Sequence, residues 1–569
     1  MKNELVARIL SEIADLLDLE GVAFKPRAYR RAAEVVASSS EPIEELVAGG
    51  THAELPGVGE AIGRKIAEIV ETGRLKYHDD LLAKWPIDLA ALTRVDGVGP
   101  KTAKLLYEAI GVRTLDDLEQ AARAGRIHTV KGLGEKTEAK ILHGLEEARA
   151  VEGRMLLFAA LRLAEDLVAE LRETGLFERV QFAGSVRRGR ETIGDLDILA
   201  VSSDPAPAVA AFLTLPEVVE ILSHGETKAS VRLGNGVQVD FRVVPAESFG
   251  AALQYFTGSK AHNIALRRLA GARGWKLNEY GLYDADDRPL AGVDEDGLYG
   301  ALGLQPIPPE LREDTGEVEA ADRGRKGRRL PHLVQVGDLR GDLHVHTNAS
   351  DGLAPIADMV AAARARGLKY IAITDHTRFA EIIGGLSADG VAAQIDAITN
   401  LNKTLRGFHV LTGIEVNVQA DGSLDLADEI LAQLDVVIAA VHSHFRQSRA
   451  EMTARLVRAV SHEHVDILAH PTGRKIGERP PCDADWDAVF AAAAKAGTAF
   501  EINANPIRLD LSADLVRRAV DAGCRLAIGS DAHAPEHFDF LRLGVLTARR
   551  GWAEAGSIAN TRDLAREDT

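Results

Sequence analysis

The sequence predicts a multidomain α+β protein whose C-terminal part is a β/α barrel, and three observations carry that reading. With 569 residues and 46% hydrophobic content, the chain is long enough for several separate cores. Between residues 342 and 533, seven short apolar runs recur, most of them followed by an Ala-rich stretch of helical composition. They are Asp342 to His346, Tyr370 to His376, Val410 to Glu415, Val436 to His442, Val465 to His470, Phe500 to Asn503 and Leu526 to His533. Nearly every run ends in His, Asp or Glu, and barrels of this kind present their chemistry at the C-terminal ends of the strands.

His344 and His346 stand two apart on the first strand, so both point the same way. Asp351 follows in a short loop, and His376, Glu415, His442, His470, Asp531 and His533 come from later strand ends. Nine N/O ligands without cysteine exceed what one tetrahedral zinc requires. They suit two or three Mn, Zn or Fe ions sharing carboxylate bridges in a hydrolytic site. Any single His is as readily an ordinary core or surface residue, but eleven of the 18 lie after residue 335. His409, His444, His462, His464 and His537 are read as ordinary.

The runs Asp342-Leu343-His344-Val345-His346-Thr347, Thr374-Asp375-His376, Gly413-Ile414-Glu415, Ala469-His470-Pro471-Thr472-Gly473-Arg474 and Gly529-Ser530-Asp531-Ala532-His533 resemble the motifs of PHP (polymerase and histidinol phosphatase) domains. The resemblance spans residues 336–569 and implies a distorted seven-stranded (β/α)7 barrel with a trinuclear phosphoesterase site. All nine ligand positions are present.

Near the start, three apolar-Gly-apolar-Gly turns each open a helix: Leu55 to Gly59, Val95 to Gly99 and Val130 to Gly134. One such turn is usually an ordinary packing element. Three within eighty residues point to helix-hairpin-helix units, in which Gly57, Gly59, Gly97, Gly99, Gly132 and Gly134 let backbone amides meet DNA phosphates. Downstream, Gly184-Ser185 precedes Asp195-Leu196-Asp197, and Asp240 lies on a second alternating strand. Three carboxylates on neighbouring strands are what two-metal phosphoryl transfer needs, and Gly-Ser before Asp-x-Asp is the nucleotidyltransferase pattern.

With Tyr255-Phe256-Thr257-Gly258-Ser259, Asn263, Arg267 and Leu277-Asn278-Glu279-Tyr280-Gly281, the first 312 residues resemble family X DNA polymerases. The resemblance implies a lyase-type helical domain (1–85), a second hairpin domain of fingers type (86–150), a palm (151–245) and a thumb (246–312). A linker (313–335) then leads to the PHP domain. It also implies that Asp195, Asp197 and Asp240 bind two Mg²⁺ or Mn²⁺ ions, with Asp240 accepting the primer hydroxyl proton. By the same likeness Gly184, Ser185 and Arg188 hold the triphosphate, and Tyr255, Phe256 and Gly258 bound the sugar. Asn263 and Arg267 then face the nascent pair. Gln238 replaces the arginine that mammalian repair members carry beside the third aspartate. Lys65 keeps the family's Schiff-base position, with Lys25 and Tyr29 matching its pocket, while Ala61 replaces a neighbouring lysine. Lys65 is thus a lyase nucleophile or a phosphate contact.

A net charge of −18 excludes a simple basic nucleic-acid binder, so DNA contact relies on amides, metals and a few arginines. Two cysteines argue for a reducing compartment, the N-terminus opens an amphipathic helix rather than a signal peptide, and no apolar run is long enough to span a membrane. Residues 323–329 form a basic run, either a solvated tether or a guide for DNA. Polymerase followed by PHP domain is, by resemblance, a prokaryotic cytoplasmic, nucleoid-associated arrangement. The expected protein is a monomeric gap-filling polymerase of base excision repair, acting on gapped or nicked DNA, primer 3′ ends and deoxynucleoside triphosphates. Its PHP domain would serve as a Mn-dependent 3′–5′ exonuclease, 3′-phosphatase or abasic-site endonuclease. The alternatives are a hydrolytically silent PHP domain, a non-catalytic DNA-end scaffold, or a metabolite phosphatase with a DNA-binding appendage.

Overall fold

The computed structural model describes residues 2–38, 42–55, 57–95, 97–151, 153–324, 327, 329–378 and 385–563. The N-terminal part is helical, from Lys2–Leu19 to Glu135–Val151, and one apolar cluster runs from Val6 to Leu145. Helix Gly59–Thr72 shows the logic. Ile62, Ile66 and Ile69 recur on one face and are buried, and Gly73 ends the helix at φ 71°. The three glycine turns share one geometry: the amides of Val58, Val98 and Leu133 donate to the carbonyls of Leu55, Val95 and Val130. Gly57, Gly97 and Gly132 take φ of 80°, 95° and 96°, where a side chain would be strained. Pro56 and Asp96, within two of these turns, lie outside the described residues.

The palm sheet contains β1 (Arg179–Phe182), β2 (Asp195–Val201), β3 (Val218–His224), β4 (Lys228–Leu233) and β5 (Gln238–Val243), ordered β1-β2-β5-β4-β3. Only β2 and β5 pair in parallel, with Asp197 opposite Asp240. The thumb begins with helices Phe249–Thr257 and Lys260–Gly271. Gly250 has no side chain because the Asp294 backbone occupies the place of its Cβ. An ion cluster ties palm to thumb: Arg187 donates to both oxygens of Glu295 at 2.9 and 2.7 Å, and buried Arg312 donates to Glu295 Oε1. Burial opposes charge on Glu295, but the two guanidinium groups hold its carboxyl down at about 2.

Residues following the thumb are packed rather than extended. Glu317 is fully buried and accepts from the amides of Asp314 and Thr315 and from His262. Within the basic run, Arg325, Lys326 and Arg328 lie outside the described residues.

The C-terminal part is the seven-stranded parallel barrel that the recurring apolar runs announce. Its strands are β6 (Gly341–Val345), β7 (Tyr370–Ile373), β8 (His409–Asn417), β9 (Val436–Ala440), β10 (Ile467–Ala469), β11 (Ala499–Asn503) and β12 (Leu526–Gly529), hydrogen-bonded in sequence order. A bridge between Val345 and Ala532 closes the ring, with His346 N donating to Ala532 O at 2.8 Å. Small and medium side chains such as Ala372, Ile438, Ala440, Ala499 and Ala527 form one apolar cluster, and a larger one joins the strands to the surrounding helices. Both strand faces are therefore dry, which explains runs that are apolar throughout. Cys482 and Cys524 are free and buried.

Palm and barrel interlock. Leu509 and Leu543 of the barrel region are fully buried within the palm's apolar cluster, and Ile476 and Leu546 pack against it. Arg474 donates to both oxygens of Glu191 at 2.7 and 3.2 Å, Arg542 to Glu165 at 3.0 Å, and Arg550 to the Arg188 carbonyl at 2.9 Å. Truncating Leu543→Ala should cost about 2–5 kcal/mol and lower the melting temperature. Unchanged melting would show that the two units do not share this core.

Candidate functional site

In the palm, strand alternation buries Leu196, Ile198, Val239 and Phe241 and puts Asp195, Asp197 and Asp240 on the opposite face of β2 and β5. Asp195 is exposed and the other two are half-buried. Burial first, then the charges of Asp195 and Asp240, push the Asp197 carboxyl up to about 7. Repulsion of this kind marks a place for cations. Gly184 closes the site from the side: at φ 64°, its Cβ would collide with Asp197 Oδ2. Gln238 Nε2 donates to both oxygens of Asp240, at 3.2 and 3.3 Å.

Ser185 follows Gly184 in the short helix Gly184–Arg187 and is half-buried. Arg188 is committed within the protein: Nε donates to Glu313 at 3.1 Å and Nη1 to the Thr257 carbonyl. Tyr255 and Phe256 meet edge to face at 5.1 Å between ring centroids, and Arg242 lies over the Phe256 ring. Gly258 takes φ 67° and joins Ser259 through a cis peptide. Asn263 is buried, with its amide nitrogen donating to Tyr255 O at 2.7 Å and its oxygen accepting from Gln254. Arg267 is exposed on the same helix, its Nε donating to Asn263 O. Lys65 Nζ lies 5.2 Å from the Tyr77 ring and 5.8 Å from the Tyr29 ring, beside two rings whose centroids are 6.5 Å apart. Added Cβ atoms at Gly59, Gly99, Gly132 and Gly134 would meet nothing within 4 Å, so these turns are open to a ligand.

At the barrel's C-terminal rim, all nine candidate side chains converge. Three overlapping groups have ligand atoms within 4.8 Å of one another: His346, Asp351, His376 and His533; His344, His346 and Asp531; His376, Glu415 and His442. His470 joins through Glu415, with Nε2 2.9 Å from Oε1. Glu415 is the hub. Nitrogens of His344, His346, His376 and His442 lie 3.4, 3.5, 2.9 and 3.2 Å from its oxygens.

Burial disfavours charge on Glu415, yet these imidazoles hold it well below the carboxylate range. Burial, with His533 and His376, brings His346 down to about 4, and burial with Arg508 brings His470 down to about 3. At His376 and His533 burial is outweighed by carboxylates, and they rise to about 10 and about 9. His344 Nε2, both ring nitrogens of His346, His376 Nδ1, His470 Nδ1 and Glu415 Oε2 are buried without a hydrogen-bond partner. A buried set of imidazole nitrogens and carboxylate oxygens left without hydrogen bonds fits divalent cations.

Sequence reasoning missed the layer behind the ligands. Glu501 Oε1 lies 2.7 Å from His344 Nδ1, and Oε2 accepts from His470 N at 2.6 Å. Asn417 Oδ1 lies 2.6 Å from His442 Nδ1, fixing which nitrogen faces Glu415. His537, read as ordinary, accepts from His533 N at 3.2 Å. The one available signal was that β11 alone supplied no ligand while carrying Glu501 and Asn503 on alternate positions. A cavity of about 1120 Å³ between helix Leu157–Glu173 and the barrel is lined by Phe158, Arg162, Arg340 and Phe540 and contains none of the candidate ligands.

Comparisons with known proteins agree with this layout. Residues 1–75 match a helix-hairpin-helix domain, 89–147 a SAM-like helix-hairpin-helix tandem, 252–313 the DNA polymerase beta thumb and 342–504 the PHP domain. The chain is 36% identical over 568 residues to the DNA polymerase/3′-5′ exonuclease PolX of Bacillus subtilis, covering 99% of this chain and 98% of that one. It is 27% identical over 321 residues to DNA polymerase lambda of Rattus norvegicus, covering 53% of this chain and 52% of the relative. The identity to a probable phosphatase of Edwardsiella ictaluri is 36% over 205 residues, which is 34% of this chain and 78% of the relative.

The raised Asp197 carboxyl has a stability consequence. Its folded value near 7 exceeds the ordinary 3.8, so the group favours the folded state below about pH 4, an advantage lost as pH rises through 7. In chelator, Asp197→Asn should therefore gain thermal stability on the parent from about pH 4 to 8. Parallel melting curves across that range would refute the repulsion.

Proposed function

The chain belongs to the family X DNA polymerases that carry a C-terminal PHP domain, and from that premise we propose that it fills short gaps in DNA and trims primer 3′ ends. The observation that carries the reading is the coexistence of two separate cation-demanding sites in one chain: the Asp195, Asp197 and Asp240 face and the nine-ligand rim. A scaffold would need neither.

In the palm, we assign Asp195, Asp197 and Asp240 to two Mg²⁺ or Mn²⁺ ions. When bound, divalent ions in both sites supply activation of the attacking oxygen and neutralisation of charge on the phosphorus being attacked. Asp240 accepts the proton of the primer 3′-hydroxyl, and the Gln238 amide orients its carboxylate for that task. Gly184 and Ser185 receive triphosphate oxygens at a turn that the missing Gly184 side chain lets lie directly against Asp197. Arg188 supports that turn through Thr257 and Glu313. Tyr255, Phe256 and Gly258 border the sugar, and Arg267 faces the template side, braced by Asn263. Lys65 is assigned to the 5′ side of the gap, as Schiff-base nucleophile or phosphate contact. The open glycine turns hold the sugar-phosphate chain through backbone amides, which suits an acidic protein without sequence preference.

At the rim, His344, His346, Asp351, His376, Glu415, His442, His470, Asp531 and His533 would hold two or three Mn²⁺, Zn²⁺ or Fe ions. The neutral imidazoles of His346 and His470 need lose no proton, whereas His376 and His533 must each release one. The pocket cleaves phosphodiesters at 3′ ends, with 3′-phosphate removal and abasic-site incision as related activities of the same donors. We place the protein, as a monomer, in base excision repair at a prokaryotic nucleoid; among the described residues no helix is long and apolar enough to cross a membrane.

A 5′-labelled primer facing a one-nucleotide gap tests both sites in Mn²⁺, with and without deoxynucleotides. Asp240→Ala should abolish extension and leave shortening, and His344→Ala should do the reverse. Loss of both activities in either variant would argue against two independent centres. Glu501→Gln should weaken metal retention by about 10–100-fold, read as metal per chain after dialysis against a chelator. Unaltered retention would remove Glu501 from the supporting layer.

A further inference from the structure

Two side chains on the barrel rim belong neither to the ligand cluster nor to the palm contact. Phe445 lies three residues beyond His442, and Gly473 three residues beyond His470, so both loops border the pocket. The Phe445 ring presses on Gly473, which takes φ 62° and whose Cβ would collide with the ring. The Arg479 guanidinium lies over that ring, 3.9 Å from its centroid, and its Nε donates to Gly473 O at 2.6 Å. Paired backbone bonds between Lys475 and Arg479, both 2.8 Å, turn the chain back and return Arg479 to the rim.

Arg479 is half-buried yet forms no ion pair among the described residues. Its neighbour Glu478 is turned toward Lys475, at 3.9 Å. Two other arginines of the rim, Arg474 and Arg508, are committed to Glu191 and, at 3.5 Å, to Asp531. Glu478 and Asp510 act on it only from beyond ion-pair distance, and a partly desolvated cation with no counterion in contact is costly unless a ligand supplies one. His444, just before Phe445, is exposed in a left-handed conformation at φ 56°, and Phe445 packs against the barrel's apolar cluster while part of its side chain stays exposed. A planar cation whose remaining N–H groups are unspent, mounted on an aromatic ring beside a phosphoester-cleaving pocket, matches how single strands are gripped by stacking and phosphate contact.

We propose that Phe445 and Arg479 form a receiving site for the last nucleotides of a single DNA strand, with Arg479 binding a backbone phosphate next to the bond presented for cleavage and Phe445 meeting a base. The proposal rests on the reading of the rim as a nuclease for DNA 3′ ends.

Two measurements on the full chain test it. In chelator, an oligonucleotide ending in 5-iodouracil is irradiated with the protein and the crosslinked peptides are mapped. A crosslink at Phe445 is expected, and crosslinks confined to the helical part or palm would overturn the site. In Mn²⁺, shortening of a single-stranded primer is followed for Arg479→Met, Arg479→Lys and Arg449→Met, the last an exposed arginine whose ion pair among the described residues is Asp485 at 4.0 Å. Arg479→Met should raise KM about tenfold with kcat within about twofold, and should lower the slope of log KM against log salt by about 0.7. Arg479→Lys should recover part of the KM loss, and Arg449→Met should match the parent. An unchanged KM and salt slope in Arg479→Met, or a fall confined to kcat in both Arg479 variants, would reduce Arg479 to a brace for the Gly473 loop. If the parent crosslinks at Phe445 but does not shorten the primer, the nuclease reading fails and the strand site stands.

Discussion

Leu509 and Leu543 are barrel residues buried in the core of the palm, and that exchange of side chains governs how the rest of the molecule works. It makes the two catalytic regions parts of one packed body. The Arg474–Glu191 and Arg550–Arg188 contacts then connect the loops bearing chemistry on each side. Arg474 comes from the segment following His470, and Glu191 precedes Asp195 by four residues. The two loops are thus joined by direct, part-buried contacts rather than by a tether alone.

The two candidate sites meet the cost of gathering like charges differently. The barrel supplies its own counterions: each carboxylate faces imidazoles, and Glu415 lies within reach of five. Glu501 and Asn417 hold the rings of His344 and His442 from behind. The palm leaves its three carboxylates facing one another, and Asp197 answers by holding its proton up to about 7. The rim is balanced by opposite charges within the protein, whereas the palm face gathers charges of one sign.

Much of this was legible in the sequence, for a physical reason. Apolar runs ending in His or Asp recur because a two-faced parallel strand must be apolar along its length and polar only where it leaves the barrel. Asp195, Asp197 and Asp240 were legible because alternation fixes which face they share. Glu501 was not, since a buried acid whose task is to orient His344 carries no motif of its own. The Arg474–Glu191 pair joins residues 283 apart, and no local pattern encodes such a partner. The acid-rich stretch after the thumb looks like a solvated connector by composition, yet Glu313 and Glu317 are spent on Arg188, Arg550 and His262. Gly250 carries no motif either, and its need comes from the Asp294 backbone, which occupies its side-chain space.

Interlocking of palm and barrel has a kinetic meaning. Because Leu509 and Leu543 pack both sites onto one core, a primer terminus reaches the second site from the first by its own movement. The fate of each 3′ end then becomes a race between the next addition and the fraying or release of the strand. A well-paired end frays rarely and is extended; a mismatched or damaged end frays often and reaches the rim. Selectivity between building and trimming is in that case a property of the DNA end's own stability, measured against a fixed distance set by the protein.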